Sequence, residues 1–322
     1  MISKKEFIAD TQERLDIFLS KKMDETRNQI DHLINKGCVE VENKKKAKSG
    51  LKLHIGQKVV VNLPKVVKQD ALKVDFDVDI VYEDDTFMVL NKPTGVIVHG
   101  AASVSEPTLV DWLKLKDISL STISGEERHG IVHRLDKGTS GLIVIAKTNE
   151  AHVALSKQLE NKTMGRYYLA FIDLPLKDDI TINKPIARNP NNRLKMGIVP
   201  HGKSAKTSFS KIALSKNSKY ELIAAKLFTG RTHQIRVHLE SNDRHILGDS
   251  LYGFKGNIDK ITRVYLHAFS LYLNHPISNK EMIFNTELPN DMKNFYLNNF
   301  NEEDYSEKIN NEYIISKFTI SI

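Results

Sequence analysis

Near the middle of the chain a glycine- and hydroxyl-rich loop, His133-Arg134-Leu135-Asp136-Lys137-Gly138-Thr139-Ser140-Gly141, runs straight into the apolar stretch Leu142-Ile143-Val144-Ile145-Ala146. The apolar stretch predicts a buried strand over residues 142–147. The loop therefore sits at the mouth of a rigid element, a common place for side chains that do chemistry. A lone Asp136 with Arg134 two residues before it suggests a reactive carboxylate beside a polyanionic ligand. The plainer alternative is a structural Asp accepting backbone N–H groups in a tight turn. The triplet Arg14-Leu15-Asp16 repeats the core of the motif among different neighbours, so only the longer context discriminates.

At 322 residues the chain is too long for one small core, and two domains are the natural expectation. Its formal net charge is +7, and residues 1–70 carry 15 Lys and Arg against 10 Asp and Glu. That asymmetry points to an acidic partner, nucleic acid or anionic lipid, although a merely basic surface has the same composition. Cys38 is the only cysteine, which excludes an internal disulfide and a cysteine-based metal cluster. Residues 1–20 are interrupted by Lys4, Lys5, Glu6, Asp10, Glu13, Arg14 and Asp16, unlike a secretory signal. No apolar run approaches membrane-spanning length, so no membrane partner is expected and a cytoplasmic location is.

Residues 13–64 read as a compact α+β module. Leu15, Phe18, Leu19, Met23 and then Ile30, Leu33, Ile34 recur at helical spacing, with a helix start at Asp24-Glu25-Thr26 between them. Gly37 ends the second helix and Val39-Glu40-Val41 alternates as a strand. A basic turn holds Lys44, Lys45 and Lys46; most lysine runs are solvated tips, but with Arg14, Lys21, Lys22 and Arg27 this one builds a basic face. Residues 64–74 form a candidate linker. The acidic stripe Asp75 to Asp85 lacks the glycine and glutamate of a calcium loop and reads as a solvated approach to Phe87-Met88-Val89-Leu90-Asn91-Lys92-Pro93. A helix is predicted over residues 149–161, with Val153, Leu155 and Leu159 inward. Strands are predicted over 167–173 and 219–228, and a helix over 231–240 opened by Gly230. Strands and helices do not alternate strictly, so a mixed, largely antiparallel sheet is expected. No GxGxxG or P-loop is present, which argues against a nucleotide cofactor. Residues 301–312 are acidic and Asn-rich, and read as a surface tail.

Residues 133–141 resemble the signature loop of the RluA/RluD family of RNA pseudouridine synthases. Asn91-Lys92-Pro93-Thr94-Gly95, Thr229-Gly230-Arg231-Thr232-His233-Gln234-Ile235-Arg236-Val237-His238 and Gly248-Asp249-Ser250-Leu251-Tyr252-Gly253 follow the same family in order, and the N-terminal module is similar to the S4 RNA-binding domain. The resemblance implies that Asp136 is the nucleophile. A carboxylate suits that role because it is ionised at neutral pH without a separate general base, and a permanent cation nearby would keep it charged in a buried pocket. The family pattern assigns that cation to Arg231. Counting from Arg166, it assigns the active-site tyrosine to Tyr168 rather than Tyr167. Arg134 would fill the stack left by a flipped base, with His133 beside it as an RNA contact. The basic stretches at residues 189–196 and 201–207 resemble a family insertion, making Arg193, Lys195 and Lys203 backbone contacts. The Gly248–Gly253 motif reads as scaffold. His133, His233 and His238 lack zinc-ligand spacing, so no metal is expected.

The expected fold class is α+β. Residues 1–64 form an S4 domain and 65–76 a linker. A catalytic domain with a mixed sheet flanked by helices spans 77–300, and 301–322 form an acidic tail. The expected activity is cofactor-free isomerisation of uridine to pseudouridine in structured RNA, with large-subunit rRNA ahead of tRNA and no protein partner evident. A non-catalytic RNA-binding ribosome assembly factor and a carboxylate-pair hydrolase are the alternatives from other classes; the second lacks a partner acid in any comparable motif.

Overall fold

The computed structural model describes residues 3–23, 27–44, 46–63, 74–100, 106–122, 129–256, 258 and 261–319. The chain divides into two compact units, residues 1–70 and 71–322. The helix start at Asp24, Glu25 and Thr26, Lys45, and most of the linker lie outside the described residues.

In the first unit β1 (Ser3–Ile8), α1 (Leu15–Met23), α2 (Arg27–Asn35), β2 (Val39–Val41) and β3 (Lys58–Leu63) enclose a small core. Leu15, Phe18 and Leu19 of α1 meet Ile30 and Ile34 of α2, as their spacing dictates. Gly37 stops α2 in the left-handed region (φ 73°), and the amides of Gly37 and Cys38 cap it on Ile34 and Leu33. The sheet order is β1-β3-β2. The strand β1 has no counterpart in the sequence reading. Its Lys4-Lys5-Glu6 hides any alternation, and Glu6 instead pairs with Lys4 and Lys58 on the exposed face.

The second unit is built on β4 (Asp79–Glu83), β5 (Phe87–Lys92), α3 (Leu109–Leu115), β6 (Ser140–Ala146), α4 (Asn149–Glu160) and β7 (Gly165–Asp173). They are followed by β8 (Ile180–Asn183), β9 (Ile186–Arg188), β10 (Met196–Ile198), β11 (Lys206–Leu214), β12 (Tyr220–Leu227) and α5 (Gln234–Glu240). The chain closes with β13 (Leu266–Asn274), β14 (Glu281–Asn285), α6 (Asn290–Asn299), α7 (Asp304–Lys308) and α8 (Asn311–Ser316). The main sheet runs β4-β5-β6-β13-β7-β12-β11-β8, with β14 added on β13. Only the β6–β13 pair is parallel, so the sheet is mixed and largely antiparallel. Every residue of β6 is buried because both faces are covered. Ile143 and Ile145 join Met88 and Leu90 on one side; Leu142, Val144 and Ala146 join Phe87, Val89 and the α4 residues Ala151 and Leu155 on the other.

Three expectations change. Val153 is 58% exposed, since the buried stripe of α4 runs through Ala151, His152 and Leu155. Val74 and Phe76, placed in the linker, pack against the second unit's core. The acidic C-terminal segment is not a free tail: Ile314 of α8 is fully buried and Phe318 lies 5.5 Å from the ring of Tyr167.

Candidate active site

Gly141 at the start of β6 has φ 107°, and a side chain there would run into the backbone of Ala268 on β13. Glycine is therefore what lets the loop's exit strand enter the centre of the sheet. Ser140 Oγ meets His267 Nδ1 at 2.9 Å at the same crossing. The loop before it is held from two sides. Thr139 N–H closes a turn on the Asp136 carbonyl (3.0 Å), and Gly95 N–H and Thr94 Oγ1 donate to the carbonyls of Lys137 (2.8 Å) and Gly138 (3.2 Å). The Asn91–Gly95 motif thus anchors the Asp136 loop. Beneath it Lys92 is fully buried, donates to the carbonyls of Pro93 and Val96, and is pulled down to about 7 by burial.

Asp136 lines a cavity of about 640 Å³ together with Arg134, Arg166, Tyr168, Arg231 and His233. Its Oδ2 accepts from Arg236 Nη1 at 3.2 Å, and His233 Nε2 lies 3.8 Å away. The cation beside Asp136 is therefore Arg236, not Arg231. The helix α5 begins at Gln234, three residues later than the sequence suggested, and carries Arg236 inward in its first turn. Arg231 lies in the preceding loop and turns away, its Nε donating to the carbonyl of Ser204 at 2.9 Å. A cation in the first turn of a helix opposes the dipole, and two carboxylates offset this. Asp249 grips Arg236 in a bidentate pair (2.6 and 2.8 Å) while Asp136 takes its remaining edge.

The Gly248–Gly253 motif is the support of this arrangement. Besides Asp249 it supplies Tyr252, whose ring lies 4.6 Å under the Arg236 guanidinium. Tyr252 Oη accepts from Met196 N–H (2.8 Å) and makes a hydrogen bond with His233 Nδ1 (2.7 Å). His233 Nε2 faces Asp136. Burial pushes His233 below its ordinary value, against the pull of Asp136, so the ring stands there neutral. The positions of Asp249, Tyr252 and His233 are what the sequence reading missed; the motif was visible but its partner was not.

Tyr168 and Tyr167 point to opposite faces of β7. Tyr168 reaches the cavity, whereas Tyr167 packs against Tyr272 and Phe318. Burial pushes the Tyr168 phenol up, so it is protonated at neutral pH. Arg134 is exposed at the cavity mouth.

The other expected RNA contacts divide. His133 is buried: its Nε2 accepts from Val144 N–H at 3.1 Å, and burial with the nearby Arg166 charge pushes it down to about 3. It is not a surface contact. Lys195 is half-buried, paired with Glu240 (3.1 Å) and lying over the Tyr252 ring. Arg14 and Arg27 both bind the buried Asp16, at 3.0 and 2.7 Å, which makes them part of the first unit's framework. Arg193, Lys203, Lys44 and Lys46 are exposed.

A family model described as RNA pseudouridylate synthase matches residues 86–241, and one described as S4 domain matches residues 13–59. An uncharacterized RNA pseudouridine synthase of Helicobacter pylori strain J99 is 44% identical over 322 residues, covering 98% of each chain. A protein of Zymomonas mobilis named ribosomal large subunit pseudouridine synthase D is 37% identical over 83% of this chain and 87% of its own. The solved structure of human RNA Pseudouridylate Synthase Domain Containing 1 matches with a TM-score of 0.53 at 25% identity, over 66% of this chain and 83% of that one. Near-full-length similarity at this level, joined to the sheet and loop described above, makes the chain a member of the RNA pseudouridine synthase family, isomerases that modify RNA.

Proposed function

We propose that this enzyme converts particular uridines of large-subunit rRNA to pseudouridine, with Asp136 as nucleophile. The observation that carries the reading is the Asp136–Arg236 ion pair in a cavity walled by Tyr168. Isomerisation breaks the C1′–N1 bond, turns the base, joins C5 to C1′, and exchanges the C5 proton for one on N1. The Asp136 carboxylate attacks the nucleotide and holds it while the base turns. Arg236 orients that carboxylate through one oxygen, with the neutral His233 ring beside it, and leaves the second oxygen free to attack. Tyr168 offers a ring face to the extruded base and a hydroxyl near the C5 proton once the bond has reformed. Arg134 at the mouth fills the gap left in the RNA stack. Arg231 grips backbone phosphate at the rim, a task that suits a half-buried guanidinium tethered by one bond.

The rRNA target is supported by the S4 module and by the names of relatives such as the Zymomonas protein. To test it, large-subunit rRNA and tRNA, both transcribed without pseudouridine, are incubated with the protein and mapped. Pseudouridine at discrete rRNA sites is expected. Modification of tRNA alone would overturn the target, and none in either RNA would favour the assembly-factor reading.

A further inference from the structure

The wall of the cavity contains a cation that the reaction described above does not use. Arg166, on β7 two residues before Tyr168 and on the same face, is 8% exposed, and its Nε is buried with no partner. Its side chain makes no hydrogen bond or ion pair with any described residue; burial pushes the group down, and Gly230 packs against its terminal nitrogens. Beside it stands a second unmet donor. His133 Nε2 is occupied as an acceptor by Val144 N–H, so in the neutral ring the proton is on Nδ1, and Nδ1 is buried and unpartnered. Both residues line the cavity that holds Asp136 and Tyr168.

Buried polar groups in folded proteins are normally satisfied, and a buried cation without a counter-charge is costly. Groups that only donate demand an acceptor, and no described residue supplies one. We propose that Arg166, with the His133 Nδ1–H, binds a carbonyl oxygen of the flipped uracil and stabilises the negative charge that reaches it during the reaction. The assignment rests on the reading of Asp136 as nucleophile. When Asp136 attacks C1′, the electron pair of the broken C1′–N1 bond leaves with the base and spreads from N1 onto its carbonyl oxygens. When the attack is on the ring, the displaced pair ends on a carbonyl oxygen as well. In both cases the charge returns as C5 bonds to C1′, C5–H is lost and N1 is protonated, so no external reactant is needed. The depth of Arg166 favours the base over a phosphate, because Arg134 at the mouth is exposed while Arg166 shares its buried wall with Tyr168.

The test compares Arg166→Met, which keeps volume and removes charge, with Arg166→Lys and the unaltered enzyme, on RNA carrying uridine, 2-thiouridine or 4-thiouridine at the target. Arg166→Met is expected to lower the single-turnover rate at saturating RNA roughly 100-fold, as loss of one pre-organised donor does, with RNA affinity nearly unchanged. Arg166→Lys should recover part of the rate. One of the two thio substitutions should slow the unaltered enzyme and leave Arg166→Met no slower. Arg166→Met should melt no lower than the parent, since the cation is uncompensated, which separates this role from a framework one. A weakened affinity with a reduced salt slope and an intact saturated rate would assign Arg166 to phosphate and overturn the proposal. Equal thio effects in both proteins, or a variant as fast as the parent, would overturn it too. An unaltered enzyme that forms no pseudouridine would instead overturn the reading of Asp136.

Discussion

Arg231 and Arg236 lie five residues apart in one motif, and the first turn of α5 separates their roles. Arg236 faces Asp136 and Asp249; Arg231 is tied to the Ser204 carbonyl in the loop before the helix. Arg236→Lys keeps the charge but loses the planar fork that spans both carboxylates. Its saturated rate should fall by about 100-fold, whereas Arg231→Ala should raise the half-saturating RNA concentration and leave that rate within about threefold. Single-turnover measurements over a range of RNA concentrations separate the two, and the opposite pattern would restore Arg231 to the nucleophile. Tyr168→Phe should be slow with RNA affinity retained, while Tyr167→Phe, buried against Phe318, should change melting more than rate. Asp136 and Tyr168 were legible because Asp136 lies in a loop motif that runs straight into an apolar strand, and Tyr168 is counted from Arg166 along one strand. The partner of Asp136 was not, because the sequence does not show where a helix starts. His233 in the left-handed region (φ 57°) delays α5 to Gln234 and moves the inward arginine by five positions.

The elements that read most clearly from sequence are those with one strong period. The run from Leu142 to Ala146 and the paired stripes of α1 and α2 formed as expected. Those that did not read lacked a pattern of their own. The strand β1 is charged because only one of its faces meets the core. The helices α7 and α8 are acidic and Asn-rich, yet Ile314 inserts fully into the core. Ile314→Ala should cost about 3 kcal/mol, the usual range for emptying a buried aliphatic site, visible as a lower midpoint in denaturant. No change would return the segment to a surface tail. At the other end of the second unit, the loop carrying Asp136 depends on Gly141, and Gly141→Ala should unfold or inactivate the protein because Ala268 leaves no room for a methyl group.

At the scale of the whole molecule the chain forms two compact units, the first matching the S4 domain and the second carrying the Asp136 site. In the first unit Asp16 is held down to about 2, first by its hydrogen bond to Arg14 and also by Arg27. A carboxyl lowered in the folded state contributes stability above its unfolded value of roughly 4 and loses it as pH falls towards 2. Amide protection in α1 should therefore drop between pH 5 and pH 2.5 more in the parent than in Asp16→Asn. Equal losses would show that the Arg14–Asp16–Arg27 cluster contributes little.

Among the described residues no helix is long and apolar enough to cross a membrane, and the proposed chemistry converges on one carboxylate. The most direct measurement incubates Asp136→Asn with pseudouridine-free large-subunit rRNA and records both binding and product. RNA should be bound at least as tightly as by the parent, with no pseudouridine formed at any site. Product formed at the parental rate would contradict the role of Asp136 as nucleophile.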